Sequence, residues 1–310
     1  MSGSTALAVV DEFAWHVPPP ALRPFAFGYS GFRQAGVEPV RHRGLPSPYL
    51  TLIFTLDEPL MLAAHPDPQQ PPGSFETLAG GLHTRPALIV HDGWQSGIQL
   101  MLDPLSARGI LGLPAGELAG IDVDATAVLG PLAAQIQDRL REAATWAERF
   151  AILDQVLLAR VGPRAARAAG HADFGVSSEV RYAWRALQRS GGNASVAAIT
   201  AETGWSERYL RARFQAETGL APKAAARVIR FDRAKTALRK RASARRGSGD
   251  PNRPACAGGL GLADLAAEHG YFDQAHLDRE FRLLAGCPPT TWLAEESRNI
   301  QASPLAEPRS

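Results

Sequence analysis

Gly270-Tyr271-Phe272-Asp273-Gln274-Ala275-His276-Leu277-Asp278-Arg279-Glu280-Phe281-Arg282-Leu283-Leu284-Ala285-Gly286-Cys287-Pro288-Pro289 decides the fold of the second half of this chain. Asp273 is an N-cap residue type, with a side-chain oxygen for the free N–H groups of the next turn. Leu277 and Phe281 stand four apart and so form one buried stripe. Gly286 falls where a helix would end in a left-handed residue, and Pro289 bars simple continuation. The pattern recurs upstream: Ser206 is followed by Leu210, Phe214, Gly219 and Pro222 at the offsets that separate Asp273 from Leu277, Phe281, Gly286 and Pro289. A glycine–aromatic pair precedes each copy, Gly204-Trp205 and Gly270-Tyr271. Before each pair lies a short apolar helical stretch, Val196-Ala197-Ala198-Ile199 and Leu262-Ala263-Asp264-Leu265-Ala266. Short helix, glycine-containing turn and capped second helix make a helix-turn-helix unit, present twice, at about 195–218 and 262–285. Two ordinary helical hairpins would share the caps and stripes. Matched offsets in both copies favour the DNA-binding form.

The segment between the copies is helical in pattern from Pro222 to about Arg241, with Val228, Phe231, Ala234 and Leu238 at helical spacing. About 20 residues at 1.5 Å each span roughly 30 Å. Successive major grooves recur every ~34 Å, so such a strut can seat both second helices on one face of B-DNA. Arg245 to Gly261 holds five Gly and two Pro and reads as a surface loop.

Charge divides along the same line. The 310 residues carry a net charge of +2, but residues 1–175 hold 12 Arg and no Lys against 17 Asp and Glu, a balance of −5. Residues 176–310 hold 21 Lys and Arg against 14 Asp and Glu, a balance of +7, as expected where one half meets a polyanion. Two cysteines exclude a disulfide-built scaffold, and 45% hydrophobic residues exclude wholesale disorder. No apolar run approaches the ~20 residues of a membrane-spanning helix, and Met1 to Thr5 open no secretion signal, so a cytoplasmic protein without a membrane partner is the expectation.

The first half reads differently. Tyr49–Leu56, Ala87–His91 and Gly97–Leu102 are short apolar or alternating runs bounded by Pro, Gly and Asp, as strands are, within a mostly β stretch from Phe25 to Asp103. His65 to Gly73 reads as a loop. Leu129–Ala144 and Thr145–Val161 carry apolar residues at helical spacing. The expected class is α+β: a small β domain, for which a cupin-like form is one candidate, with a helical segment, then an all-α double helix-turn-helix domain. Residues 1–170 form the expected sensing or dimerising domain, 171–178 the linker (within a Gly162 to Ser178 stretch rich in Ala, Gly and Arg), 179–296 the DNA-binding domain and 297–310 a tail.

The stretch Gly270 to Arg282, followed by Ala285-Gly286-Cys287-Pro288-Pro289, resembles the signature of the AraC/XylS transcriptional regulators, and the resemblance runs back to about Glu179. It covers a little over a third of the chain. It implies a seven-helix DNA-binding domain, promoter DNA as partner, a small-molecule effector or a homodimer contact at the N-terminal domain, RNA polymerase as a further partner, and no cofactor. Thr200 stands where the family usually has Ala, so its hydroxyl needs a local acceptor such as a carbonyl one turn back. The Arg245–Gly261 segment is longer than the usual connection. The first 175 residues resemble the sensor regions of related regulators only loosely.

Helix geometry selects the DNA-facing residues, in agreement with the family pattern. With Leu210 and Phe214 inward, Arg208, Arg211, Ala212 and Gln215 share the opposite face of the first unit; in the second unit that face is Gln274, Ala275, Asp278 and Arg279. Arginine pairs bidentately with guanine, Gln274 suits adenine, Ala212 suits a thymine methyl, and Asp278 either accepts from cytosine or orients Arg279. Lys223, Arg227, Arg230 and Arg282 read as phosphate or surface charges. His276, between the two stripes, reads as a packing or phosphate residue.

Other chemistry is thin. The eight histidines show no metal-ligand spacing, and no nucleophile elbow, P-loop or dinucleotide fingerprint occurs, so neither an enzyme nor a metal site is indicated. Trp15, Phe25, Phe27, Tyr29, Phe32, Phe54 and Trp94 read as core more than as a pocket. His83-Thr84-Arg85-Pro86 and His91-Asp92-Gly93-Trp94 are the first places to look for a small-molecule site. Two competing readings are a DNA-repair protein that accepts a methyl group on Cys256 or Cys287, and a general DNA-compacting protein without sequence preference.

Overall fold

The structure, a computed structural model, describes residues 9–162, 175–247 and 260–296. Its first part is β-rich. Ten strands, β1 (Val10–His16), β2 (Ala26–Ala35), β3 (Val40–Gly44), β4 (Leu50–Thr55), β5 (Leu60–Ala64), β6 (Gly73–Phe75), β7 (Thr77–Gly80), β8 (Ala87–His91), β9 (Gln95–Leu102) and β10 (Asp122–Asp124), build two antiparallel sheets. One has the order β1-β2-β9-β4-β7-β10 and the other β3-β8-β5-β6. Central strands β4 and β9 alternate strictly. Leu50, Leu52 and Phe54 with Ile98, Leu100 and Leu102 join the main core under four helices. Those helices are α1 (Ala107–Leu111), α2 (Thr126–Leu129), α3 (Leu132–Glu142) and α4 (Trp146–Val161). Ile53 and Leu78 point the other way and meet Leu60, Leu62, Ala87 and Ile89 from the second sheet. Both faces of β4 are buried, which is why it reads as one apolar run.

The strands expected at 49–56, 87–91 and 97–102 are β4, β8 and β9, and both helices expected after residue 129 are present. Strand β2 defeats sequence reading because Gly28 and Gly31 look like breakers. They are strand residues over which the indoles of Trp15 and Trp146 lie, where a Cβ would collide with the rings.

The second part is all helix. α5 (Ser178–Arg189) starts one residue before the expected domain boundary, with Ser177 as its N-cap. α6 (Val196–Thr203) and α7 (Glu207–Thr218) form the first unit, α9 (Leu262–Glu268) and α10 (Gln274–Ala285) the second, and α11 (Pro289–Glu296) closes the domain. Between the units runs α8 (Pro222–Gly247), whose 26 residues extend about 39 Å. It is longer than the sequence suggested. Arg245 and Arg246, expected in a loop, are helical, because Lys240 to Arg246 holds only Ala, Arg, Lys and one Ser and the first glycine comes at 247. The rest of that expected loop (248–259), residues 163–174 with the first half of the linker, and the tail (297–310) lie outside the described residues. Trp184, Phe214, Phe231, Phe281 and Trp292 are fully buried and join α5, α7, α8, α10 and α11 in one core.

Candidate nucleic-acid interface and interdomain cavity

In the first unit Ser206 Oγ accepts from Tyr209 N (3.3 Å), and Gly219 at φ 87° ends α7 in the left-handed conformation that a side chain would strain. Leu210 and Phe214 are fully buried, whereas Arg208, Arg211, Ala212 and Gln215 are exposed on the opposite face. Among the described residues Arg208 and Arg211 donate to no carboxylate. The Thr200 hydroxyl donates to Ala197 O (2.9 Å), which is the local acceptor its position called for.

The second unit repeats this with one difference. Asp273 Oδ1 accepts from His276 N (2.6 Å), Gly286 has φ 73°, Leu277 and Phe281 are buried, and Gln274, Ala275 and Arg279 are exposed. The turn between its helices has five residues, His269 to Asp273, against three in the first unit, Gly204 to Ser206. The longer turn pushes Phe272 into solvent, 92% exposed beside the N-terminus of α10. Trp205, the corresponding residue of the first unit, instead packs edge-on against Tyr209 at 4.6 Å. Sequence reading assigned Phe272 no role. His276 packs edge-on against Tyr271 at 5.3 Å and its Nδ1 accepts from Phe272 N. Asp278 is half-buried, and no hydrogen bond joins it to Arg279, so the orienting role weighed for it has no contact behind it.

Four further cations divide into two kinds. Lys223 and Arg282 are exposed. Arg227 Nε donates to Glu280 at 2.9 Å, tying α8 to α10, and Arg230 Nη2 donates to Gly192 O at 3.0 Å while its guanidinium lies over Tyr271. Arg227 and Arg230 therefore hold the two units together, a task the sequence gave no sign of.

A second site lies where the inner faces of the two sheets meet α8 and α11. It is a cavity of about 170 Å³ with an apolar wall of Ile53, Leu60, Leu62, Leu78, Ile89 and Met101. Its charged groups come from both halves of the chain. Lys235 pairs with Asp232 (2.7 Å), Arg239 pairs with Glu296 beneath Trp292, and Arg43 pairs with Glu295. Asp122 Oδ2 accepts from His65 Nδ1 at 2.9 Å in a pair almost wholly withdrawn from solvent, while Gln70 holds the Asp122 backbone from both sides. His83 Nδ1 donates to Arg85 O at 2.5 Å, and burial pushes its pKa below the usual histidine value. Burial pushes the Glu296 carboxyl up, against the opposing pull of Arg239 and Lys235. Of the two stretches flagged for a ligand, His83 lines this cavity; His91 and Trp94 border a separate shallow recess with Phe32 and Met61. Phe25, Tyr29, Phe32 and Phe54 are core. Asp122 and Arg239 could not be found from sequence, since their partners His65 and Glu296 lie far away along the chain; Lys235 pairs locally with Asp232, and its place at the cavity is set by packing.

The β-rich part also grips both units directly. Arg108 on α1 donates Nε and Nη2 to the buried Glu217 carboxylate on α7, at 3.1–3.3 Å. The short 3-10 helix Ala115–Leu118 lies so close to the end of α7 that a methyl at Gly116 would strike the Ala216 carbonyl. Gly219 faces Ala119 there, and Gly286, its counterpart in the second unit, faces Pro86 and Arg43. The two helix-ending glycines of the repeat thus lie against the same partner domain.

Cys287 is buried and its thiol is pushed up by burial, the reverse of what a methyl-accepting thiolate needs; Cys256 lies outside the described residues. Among the described residues no cluster of His, Cys, Asp and Glu has metal-binding geometry, and no helix is long and apolar enough to cross a membrane.

No protein-family model and no curated protein matches the chain. Among solved structures it is similar to ToxT from Vibrio cholerae O395, with a TM-score of 0.45 and 11% identity over 93% of this chain and 97% of that one. It is also similar to an unsaturated fatty acid-bound ToxT from strain SCE256, with a TM-score of 0.44 and 9% identity over 93% and 95%.

Proposed function

We propose that this chain is a sequence-specific DNA-binding transcriptional regulator whose N-terminal half senses a small molecule. One observation carries the reading. Two helix-turn-helix units with matched offsets each present an exposed face, and that face includes Arg208 and Arg211 in one and Gln274 and Arg279 in the other. In this reading both second helices enter adjacent major grooves, with Arg208, Arg211, Ala212 and Gln215 meeting bases from the first unit. Gln274, Ala275, Asp278 and Arg279 do so from the second. Phe272 adds an apolar contact suited to a thymine methyl, and Lys223 and Arg282 face phosphates. The cavity is the effector site, because its walls come from both halves and its occupancy acts on α8, which links the units. The effector works by population shift between arrangements of the two units, in a homodimer that contacts RNA polymerase at the promoter.

Selection of bound sites from a random DNA pool by the full chain, followed by footprinting, tests the proposal. The expected result is a defined sequence protected in two patches about 10 base pairs apart on one face. Recovery of DNA without sequence preference overturns it in favour of general compaction.

A further inference from the structure

The cavity's walls specify the class of molecule it takes, an argument that rests on reading it as the effector site. Consider first its charges. Arg43, Lys235 and Arg239 are the cations of the lining, and each is already held by a carboxylate of this chain, Glu295, Asp232 and Glu296 respectively. An entering anion must displace one of those carboxylates within a largely buried space, leaving a charge uncompensated there.

Besides hydroxyls such as those of Tyr49 and Thr51, which can donate or accept, the lining holds two acceptors outside these pairs, Asp122 and His83. Asp122 is 7% exposed; its Oδ2 is taken by His65, and among the described residues its Oδ1 makes no hydrogen bond. That oxygen sits beside Gly80, at a point where a Cβ would lie 2.9 Å from it, so the wall is left open in front of it. His83 contributes the second acceptor. A carbonyl oxygen only accepts, so the bond to Arg85 O puts the His83 proton on Nδ1 and leaves Nε2 with a lone pair. Burial pushes the ring's pKa down, in keeping with that tautomer. Size comes last: an apolar cavity of about 150 Å³ holds a single benzene ring, so the 170 Å³ here has room for one ring with a short substituent.

We infer that the cavity takes a small, non-anionic ligand with an apolar body of one aromatic ring and a hydrogen-bond-donating amine or hydroxyl head directed at Asp122 and His83. The ring lies on Ile53, Leu62 and Ile89, and the head donates to Asp122 and His83.

Thermal-shift and calorimetric titration of the full chain with four probes, benzylamine, benzyl alcohol, benzoate and decanoate, tests this. Benzylamine and benzyl alcohol raise Tm saturably, and benzoate and decanoate do not. Asp122→Asn weakens benzylamine by about tenfold, the value of one charge-assisted hydrogen bond. Should that variant fold poorly, Gly80→Ala blocks Oδ1 with a methyl and abolishes benzylamine binding. Benzoate bound more tightly than benzylamine, with binding lost in Lys235→Met, overturns the ligand class while leaving the effector site standing. No response to any of the four probes overturns the cavity as a binding site, and leaves the DNA selection experiment to judge the regulator by itself.

Discussion

Truncating Arg208 and truncating Lys223 separate the two kinds of DNA contact proposed for them. Arg208→Ala is expected to relax preference at one base pair and weaken specific binding by about 1–3 kcal/mol, read as an altered consensus in site selection. Lys223→Ala is expected to weaken all sequences alike and reduce the salt slope of log K by about 1. The difference follows from place: Arg208 lies in the first turn of a capped helix, and Lys223 at the start of α8. A third residue gives a test by pH. Burial pushes Asp103 up to about 6, although Leu105 N and Ser106 N donate to its Oδ1 and pull the other way. A carboxyl raised on folding stabilises the protein while protonated, and that contribution is lost as pH rises from about 4 through about 6. Asp103→Asn keeps the Oδ1 acceptor, so its Tm should gain on wild type across that window and stay above it at pH 7. Cap and stripe residues were legible in sequence because each acts within two helical turns. Arg227 and Phe272 were not, because Glu280 and a longer turn decided their roles.

Whole elements were legible in proportion to the locality of their cause. The two units keep the boundaries read from sequence, since caps, stripes and terminal glycines all fall within a dozen residues. Strand β2 was hidden because the indoles that suit its glycines come from residues 15 and 146. The short helix Ala115–Leu118 carried no signal, yet it packs on the end of α7. Gly116→Ala should push that helix off the Ala216 carbonyl. The expected result is DNA binding retained with loss of any response to a cavity ligand, seen by comparing operator affinity with and without ligand. An unchanged response would show that the signal reaches α7 by another route. Phe281→Ala tests the core at this scale. It empties a fully buried site shared by Phe231 and Trp292 and should destabilise by about 3–5 kcal/mol in denaturant unfolding.

Across the whole molecule, the contacts between the halves centre on Arg108–Glu217, Arg43–Glu295 and the cavity. Arg108→Ala leaves Glu217 buried without its partner and should lower stability by about 1–3 kcal/mol; adding Glu217→Ala should restore part of that loss in a double-mutant cycle. A double-variant loss equal to the sum of the two single losses would mean that the two side chains do not interact. By itself the sequence determined the α+β class and where the paired helices of the second half start and stop. Those features rest on periodicity, capping and turn chemistry, which operate between residues close along the chain. Tertiary structure alone decided how the halves meet: which arginines are spent inside the helical half, that both sheets face α8 across a cavity, and that Asp122, His83 and Lys235 stand around it. Such groups are brought together by packing between segments 40 to 150 residues apart, and no local pattern records which distant carboxylate will neutralise a given cation and which will be left to accept from a ligand.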